Sequence, residues 1–177
     1  MGSEMCIRDR PSAIALALWA AFALAVAYAY GLRLLLAGGL ALALGFVCAA
    51  VARAAGLDMS VSLGRPEPIL AGGALVFAGS VLPSNRRRPG FPETWRLVGA
   101  VAALLPLIFL STWAGVFSYL PWPEAAIGSM YDVAGFVLGA AGIWFGIRAG
   151  WREVVQAATG FLAVSYTHLT LPTTILV

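Results

Sequence analysis

Residues 127–150 read IGSMYDVAGFVLGAAGIWFGIRAG, an almost uncharged segment long enough for a membrane-spanning helix. Glycines at spacings of four, three and four residues fall on one face of that helix, and they are Gly135, Gly139, Gly142 and Gly146. In a water-exposed helix each glycine costs about 1 kcal/mol against alanine. In a bilayer, by contrast, a glycine stripe lets a second helix approach closely. The segment therefore predicts a transmembrane helix that packs through this stripe.

The composition of the whole chain agrees with a membrane environment. Hydrophobic residues make up 61% of the 177 and charged residues 11%, whereas soluble domains have about 25% charged residues. The mean hydropathy is +0.90. These values exclude a soluble domain and predict an all-α integral membrane protein with the lipid bilayer as its partner. The net charge of +3 is too small to indicate a nucleic-acid partner.

Apolar runs separated by polar or proline-containing loops predict a polytopic transmembrane bundle of five helices plus a truncated sixth. The predicted helices cover residues 12–32, 34–52, 68–84, 97–120, 127–147 and 154–163 onward. The first two should form an antiparallel hairpin, because only a tight turn separates them. Small residues at positions 37, 41, 45 and 49 form a ridge on the second helix, which we expect to pack against the glycine stripe.

Both ends of the chain resemble translated sequencing-library adapter. Residues 5–10 read MCIRDR and residues 164–169 read VSYTHL. A DNA strand that encodes the first peptide has a complement that encodes most of the second. All eleven basic residues are arginine, a bias that, with the abundance of alanine, glycine and leucine, indicates a GC-rich bacterial genome. We expect this division: adapter at 1–10, an internal fragment of the transmembrane domain at 11–163, and adapter at 164–177.

The arginines alternate between the two sides of the predicted bundle. Outside the adapter-like ends, one side has only Arg53 and Arg65. The other side has seven, namely Arg33, Arg86, Arg87, Arg88, Arg96, Arg148 and Arg152. The positive-inside rule places this side in the cytoplasm of a bacterial inner membrane. A run of three arginines is shorter than a lipid-binding cluster, so a topology signal is favoured over a lipid or nucleic-acid contact at 86–88.

The third apolar run is short for a crossing, since only residues 69–82 are continuously apolar. A full crossing is favoured over a re-entrant segment, because the alternation of arginines requires one.

Asp132 is the acidic residue nearest the interior of an apolar run. About 22 Å of helix separates it from Ile147, which places the carboxylate slightly inside the outer interface. Arg65 is its expected partner, with Glu67 and Glu124 on the same side. If these residues converge, they form a proton or cation site that faces outward. The favoured alternative is an interfacial aspartate that reaches water, since no second intramembrane charge accompanies it.

No residue pattern indicates catalysis, a metal or a cofactor. His168, the only histidine, and Cys6 lie in the adapter-like ends, which leaves Cys48 without a base or a second ligand. We therefore expect neither an enzyme nor a cofactor, and interpret Cys48 as a buried packing residue.

Residues from about 65 to 163 resemble a family of bacterial multi-pass membrane proteins of unknown function. The similar segments are RPEPILAGGALVFAG, then RRRPGF before WRLVGAVAALLPLIFLS, and GIWFGIRAGWREVVQAATGFLA. In that family the last segment continues into an aromatic helix with a Phe-Asp pair, which is absent here. The resemblance implies a membrane-spanning fold and no known activity, substrate or cofactor.

Two functions are consistent with these patterns. The first is a structural or accessory membrane protein, able to form a homo-oligomer through its small-residue helix faces. The alternative is a transporter or channel subunit for ions or small molecules, with an outer-side acidic site at Asp132.

Overall fold

The computed structural model describes residues 13–56, 65–82, 85, 87–113, 118 and 121–170. These residues form six helices and no strand, so the all-α class is confirmed. The helices are α1 (Ala13–Tyr30), α2 (Arg33–Ala54), α3 (Glu67–Gly79), α4 (Phe91–Thr112), α5 (Glu124–Ala149) and α6 (Arg152–Thr170). The adapter-like segment 1–10 lies outside the described residues, whereas residues 164–170 continue α6.

Four helices, α1, α2, α4 and α5, are long and apolar enough to cross a membrane. α3 has 13 residues and is therefore about 20 Å long, shorter than the roughly 30 Å hydrocarbon core of a bilayer. α6 packs against α4 and α5.

The predicted hairpin of α1 and α2 is confirmed. Gly31 has φ +70°, a left-handed conformation that glycine adopts readily, and its N–H bonds to the carbonyl of Ala27 at 2.8 Å. α2 then runs back along α1, with Ala27 and Leu36 fully buried between them. The short turn therefore leaves the two helices side by side.

The start of α4 differs from the prediction. The helix begins at Phe91 rather than at residue 97, because its first turn has polar helix-start signals that an apolar run does not include. Pro92 occupies a position whose N–H would be unpaired in any helix, and Glu93 interacts favourably with the helix dipole. Gly90, with φ +86°, provides the sharp entry.

α3 and α4 approach each other at backbone distance through two glycines that the sequence analysis does not single out. A Cβ added to Gly99 would lie 2.5 Å from the backbone nitrogen of Phe77. A Cβ added to Gly73 would lie 2.5 Å from the backbone nitrogen of Ala103. Glycine at both positions therefore lets the two helices meet without an intervening side chain.

The glycine stripe of α5 faces α6. Side chains of α6 approach all four glycines, in the pairs Gly135–Phe161, Gly139–Leu162, Gly142–Ala158 and Gly146–Val155. The expectation that the small-residue ridge of α2 packs against this stripe is wrong, because α2 and α5 make no contact within the described residues. A homo-oligomer through the stripe would require α6 to move away.

Three loops meet at one end of the bundle, which we call the arginine end. It consists of the α1–α2 turn, the α3–α4 connection and the α5–α6 turn. At the end of α1, the ring of Tyr28 packs edge-to-face on Phe91 with centroids 5.1 Å apart. Between α5 and α6, Trp151 packs on Phe77 near the end of α3, at 5.8 Å. The loops rich in arginine therefore share one end, as their alternation along the chain predicts.

Candidate functional site

Glu67, the first residue of α3, accepts two hydrogen bonds at the end opposite the arginine end. The Ser118 hydroxyl donates to Oε1 at 2.7 Å, and the Tyr131 hydroxyl donates to the same oxygen at 3.1 Å. Prolines on both sides of Glu67 restrict the backbone where α3 starts. We call Glu67, Ser118 and Tyr131 the Glu67 cluster. It connects the start of α3 to α5 and to the α4–α5 connection.

The Glu67 cluster does not lie at the start of α5 but about two turns further along this helix. Tyr131 is seven residues after Glu124, the first residue of α5, which corresponds to about 10 Å of helix. The 26 residues of α5 extend about 39 Å. If α5 were centred on a bilayer with a hydrocarbon core of about 30 Å, the Tyr131 backbone would lie roughly 6 Å inside that core. A carboxylate that lies within hydrocarbon is costly unless polar groups surround it. The two hydroxyl donors offset part of that cost.

The predicted site residues are brought together only in part. Asp132 follows Tyr131, is partly exposed, and makes no hydrogen bond or ion pair in the described part of the chain. Arg65 is half-buried just before α3, and no ion pair joins it to Asp132 in the described residues. Glu124 is exposed at the start of α5. Among these predicted site residues, the acid with defined hydrogen-bond partners is therefore Glu67, which the sequence marks only as a neighbour of Asp132.

The sequence does not mark Tyr131 and Ser118 as site residues. The sequence does contain a signal for Tyr131. Its phenol directly precedes Asp132 in an apolar run and is therefore a second polar group at about the same depth as that aspartate. Ser118 had no such signal, because its partner Glu67 is 51 positions away. Only the packing of α3 against the α4–α5 region brings the two together.

A buried polar network holds the arginine end together. Asn85 is fully buried and accepts a hydrogen bond from the Tyr28 hydroxyl. Its side-chain nitrogen donates to the carbonyl of Gly79 at 2.7 Å, and the indole N–H of Trp95 donates to the Tyr28 oxygen at 3.2 Å. Both polar atoms of the amide are therefore satisfied, and the network joins α1, α3 and α4.

Of the arginines predicted to set topology, Arg88 also has a packing role. Its guanidinium lies 5.4 Å from the ring centroid of Tyr28 and 5.7 Å from that of Phe91, within cation–π range. Arg87 is exposed. Arg86 lies outside the described residues.

Arg96 forms an ion pair with Glu153 that connects α4 to α6. Its Nε donates to Oε1 at 2.5 Å, and the two side chains are 12% and 16% exposed. The guanidinium also lies 4.7 Å from the ring centroid of Trp151. The pair therefore fixes the α5–α6 turn against the first turns of α4.

The described residues contain no group of three or more His, Cys, Asp or Glu side chains placed to hold a metal ion. Cys48 is 1% exposed inside α2, as expected for a packing residue.

Comparison of the chain with protein-family models, with curated proteins and with solved structures gave no match. The described residues define an all-helical protein in which four helices are long and apolar enough to cross a membrane.

Proposed function

We propose that the chain is a multi-pass protein of a bacterial inner membrane, with the arginine end in the cytoplasm and a structural or accessory role. The observation that carries this proposal is the meeting of three arginine-bearing loops at one end of the bundle. A membrane protein oriented by the positive-inside rule has this arrangement, because its cytoplasmic loops contain the excess of arginine.

The outer surface of the bundle supports embedding in lipid. On α1, Leu18, Trp19 and Phe22 are 65%, 63% and 60% exposed. On α5, Phe136 and Val137 are 66% and 58% exposed. In water, continuous apolar surface of this kind drives aggregation. In a bilayer the same side chains contact acyl chains.

The placement of polar groups favours a structural role over transport. Transporters place charged groups and interrupted helices near the middle of the bilayer. Here Glu67 lies towards one end, while the Arg96–Glu153 pair and Asn85 lie at the other. Between them, the glycine contacts of Gly73 and Gly99 bring α3 directly against α4.

Cysteine labelling tests the proposed orientation. In a background in which Cys6 and Cys48 are replaced by alanine, we introduce Arg87→Cys or, on the opposite side, Trp122→Cys. Both positions are exposed. A membrane-impermeant maleimide should label the Trp122→Cys variant in cells with a permeabilised outer membrane, and the Arg87→Cys variant only after the inner membrane is disrupted. The reverse pattern would contradict the orientation.

A second candidate function, a proton- or cation-transporting subunit, is favoured by the Glu67 cluster alone. A carboxylate with two hydroxyl partners inside the hydrocarbon is the kind of group that such proteins use. Under this hypothesis Glu67→Gln, which keeps the shape but removes the charge, should lower flux in proteoliposomes by at least about tenfold. Asp132→Asn is the matched control, and its flux should stay within about twofold of the unmodified chain.

The same assay separates the two functions. The structural role predicts that proteoliposomes with the unmodified chain show the same proton and cation flux as protein-free liposomes. Flux above that background that depends on Glu67 would replace the structural proposal with the transport one.

A further inference from the structure

A cleft opens at the arginine end, between the last turn of α5 and the first two turns of α6. It has a volume of about 350 Å³. Its lining residues are Gly146, Ile147, Gly150, Arg152, Val155 and Gln156. Gly150 has no side chain to fill it, and a Cβ added there would meet nothing within 4 Å. The cleft therefore offers space for part of a ligand beside two polar side chains.

The polar side chains of the cleft lie on one face of α6. Arg152 is the first residue of the helix, and Gln156 is four residues further on, one turn deeper. Both are exposed. A guanidinium presents paired N–H donors that match the oxygens of a phosphate, and the amide of Gln156 adds a donor below it.

The charge of Arg152 is not neutralised within the described residues. Arg96 is paired with Glu153, and Arg88 is stacked on aromatic rings. The guanidinium of Arg33 packs against the backbone of Gly90. Arg152, in contrast, makes no ion pair with any described acid. The guanidinium of Arg152 is therefore available to an anion that enters the cleft.

The walls of the cleft are apolar, and this restricts the ligand further. Ile147 is 68% exposed beside the cleft, and Val155 contributes a second branched side chain. A small hydrophilic anion would leave this surface uncovered. A molecule with a phosphate and an attached acyl chain would satisfy Arg152 and Gln156 with its head and cover Ile147 with its chain.

We propose that this cleft binds the headgroup of an anionic phospholipid, with the phosphate on Arg152 and Gln156 and an acyl chain against Ile147. Basic pockets between transmembrane helices on the cytoplasmic side recognise such headgroups. The inference rests on the proposed function, because the arginine end must lie at the headgroups of a membrane. Binding would also stabilise the α5–α6 hairpin, since the lipid contacts both helices.

The test measures lipid binding to the full chain in detergent micelles by native mass spectrometry. Phosphatidylglycerol, phosphatidylcholine and inorganic phosphate are added separately. We expect phosphatidylglycerol to bind more tightly than phosphatidylcholine, and inorganic phosphate to show no comparable binding. Arg152→Gln should weaken phosphatidylglycerol binding roughly fivefold, the equivalent of about 1 kcal/mol. It should weaken phosphatidylcholine binding by a smaller factor, because the choline ammonium of that headgroup already repels the guanidinium. Gln156→Leu, which keeps Arg152, should weaken it by a smaller factor.

Arg87→Gln is the matched control, because it removes an exposed arginine at the same end but outside the cleft. An equal loss in Arg87→Gln and Arg152→Gln would overturn the site, as would equal affinity for the two lipids. Inorganic phosphate that binds as tightly as phosphatidylglycerol would also overturn it, in favour of a free-anion site.

The measurement does not depend on orientation in a membrane. A reversed cysteine-labelling pattern with lipid selectivity retained would therefore contradict only the proposed function. The expected labelling pattern without lipid selectivity would contradict only this inference.

Discussion

Gly99→Ala is expected to destabilise the folded chain by about 3 kcal/mol, a large effect for one methyl group. The added Cβ would lie 2.5 Å from the backbone nitrogen and 2.7 Å from the Cα of Phe77. Backbone atoms cannot rotate away, so α3 and α4 would have to separate along their shared face. The free energy of unfolding, measured by titration with denaturing detergent in mixed micelles, gives the magnitude.

Alanine substitutions at two other glycines provide the comparison for the loss of stability expected in Gly99→Ala. Gly38→Ala should be neutral or stabilising by up to about 1 kcal/mol, because a Cβ there would meet nothing within 4 Å. Gly139→Ala should lie between the two, since its nearest neighbour is the flexible side chain of Leu162 at 2.8 Å. If Gly99→Ala unfolds at the same detergent fraction as Gly38→Ala, the close approach of α3 and α4 is refuted.

Glu153→Leu is expected to destabilise the chain by about 3 kcal/mol, the lower end of the range for breaking a buried ion pair. The substitution leaves the guanidinium of Arg96 without its carboxylate in a site where that side chain is 12% exposed. The remaining contact with Trp151 compensates for only part of the loss. The same detergent titration measures the effect.

A double-mutant cycle separates the pair from the individual side chains. Arg96→Met combined with Glu153→Leu should recover most of the stability, because an apolar pair of similar volume leaves no unpaired charge. Glu153→Gln keeps an acceptor for Arg96 and should cost less than Glu153→Leu. Additive losses in the double mutant would show that the ion pair does not couple α4 to α6.

The amount of the fold that follows from sequence differs from helix to helix. α1, α2 and α5 follow closely from their apolar runs, because a long uncharged segment has few alternatives to a helix in lipid. The start of α4 does not follow in the same way. Its first six residues, Phe91 to Arg96, include three polar side chains and belong to the helix through Pro92 and Glu93 rather than through hydropathy.

The candidate site was less predictable than the fold. The sequence directs attention to the acidic end, but it singles out Asp132 because that residue interrupts an apolar run. Glu67 lies in a proline-rich connection by sequence, and its position inside the bundle becomes visible only when Ser118 and Tyr131 are placed beside it. Hydrogen-bond partners 51 and 64 positions apart have no local pattern.

By itself, the sequence determined the all-helical class and the uneven distribution of arginine. It predicted five crossings plus a truncated sixth helix, whereas four of the described helices are long and apolar enough to cross a membrane. These properties depend on the composition of neighbouring residues, so they can be predicted without knowing which helices pack together. The tertiary structure alone decided that Gly73 and Gly99 bring the backbones of α3 and α4 together, that the α5 stripe faces α6, and that Glu67 has the hydroxyl partners. Each of these depends on which distant segments pack together, and the free-energy differences between alternative pairings of apolar helices are too small for composition to resolve.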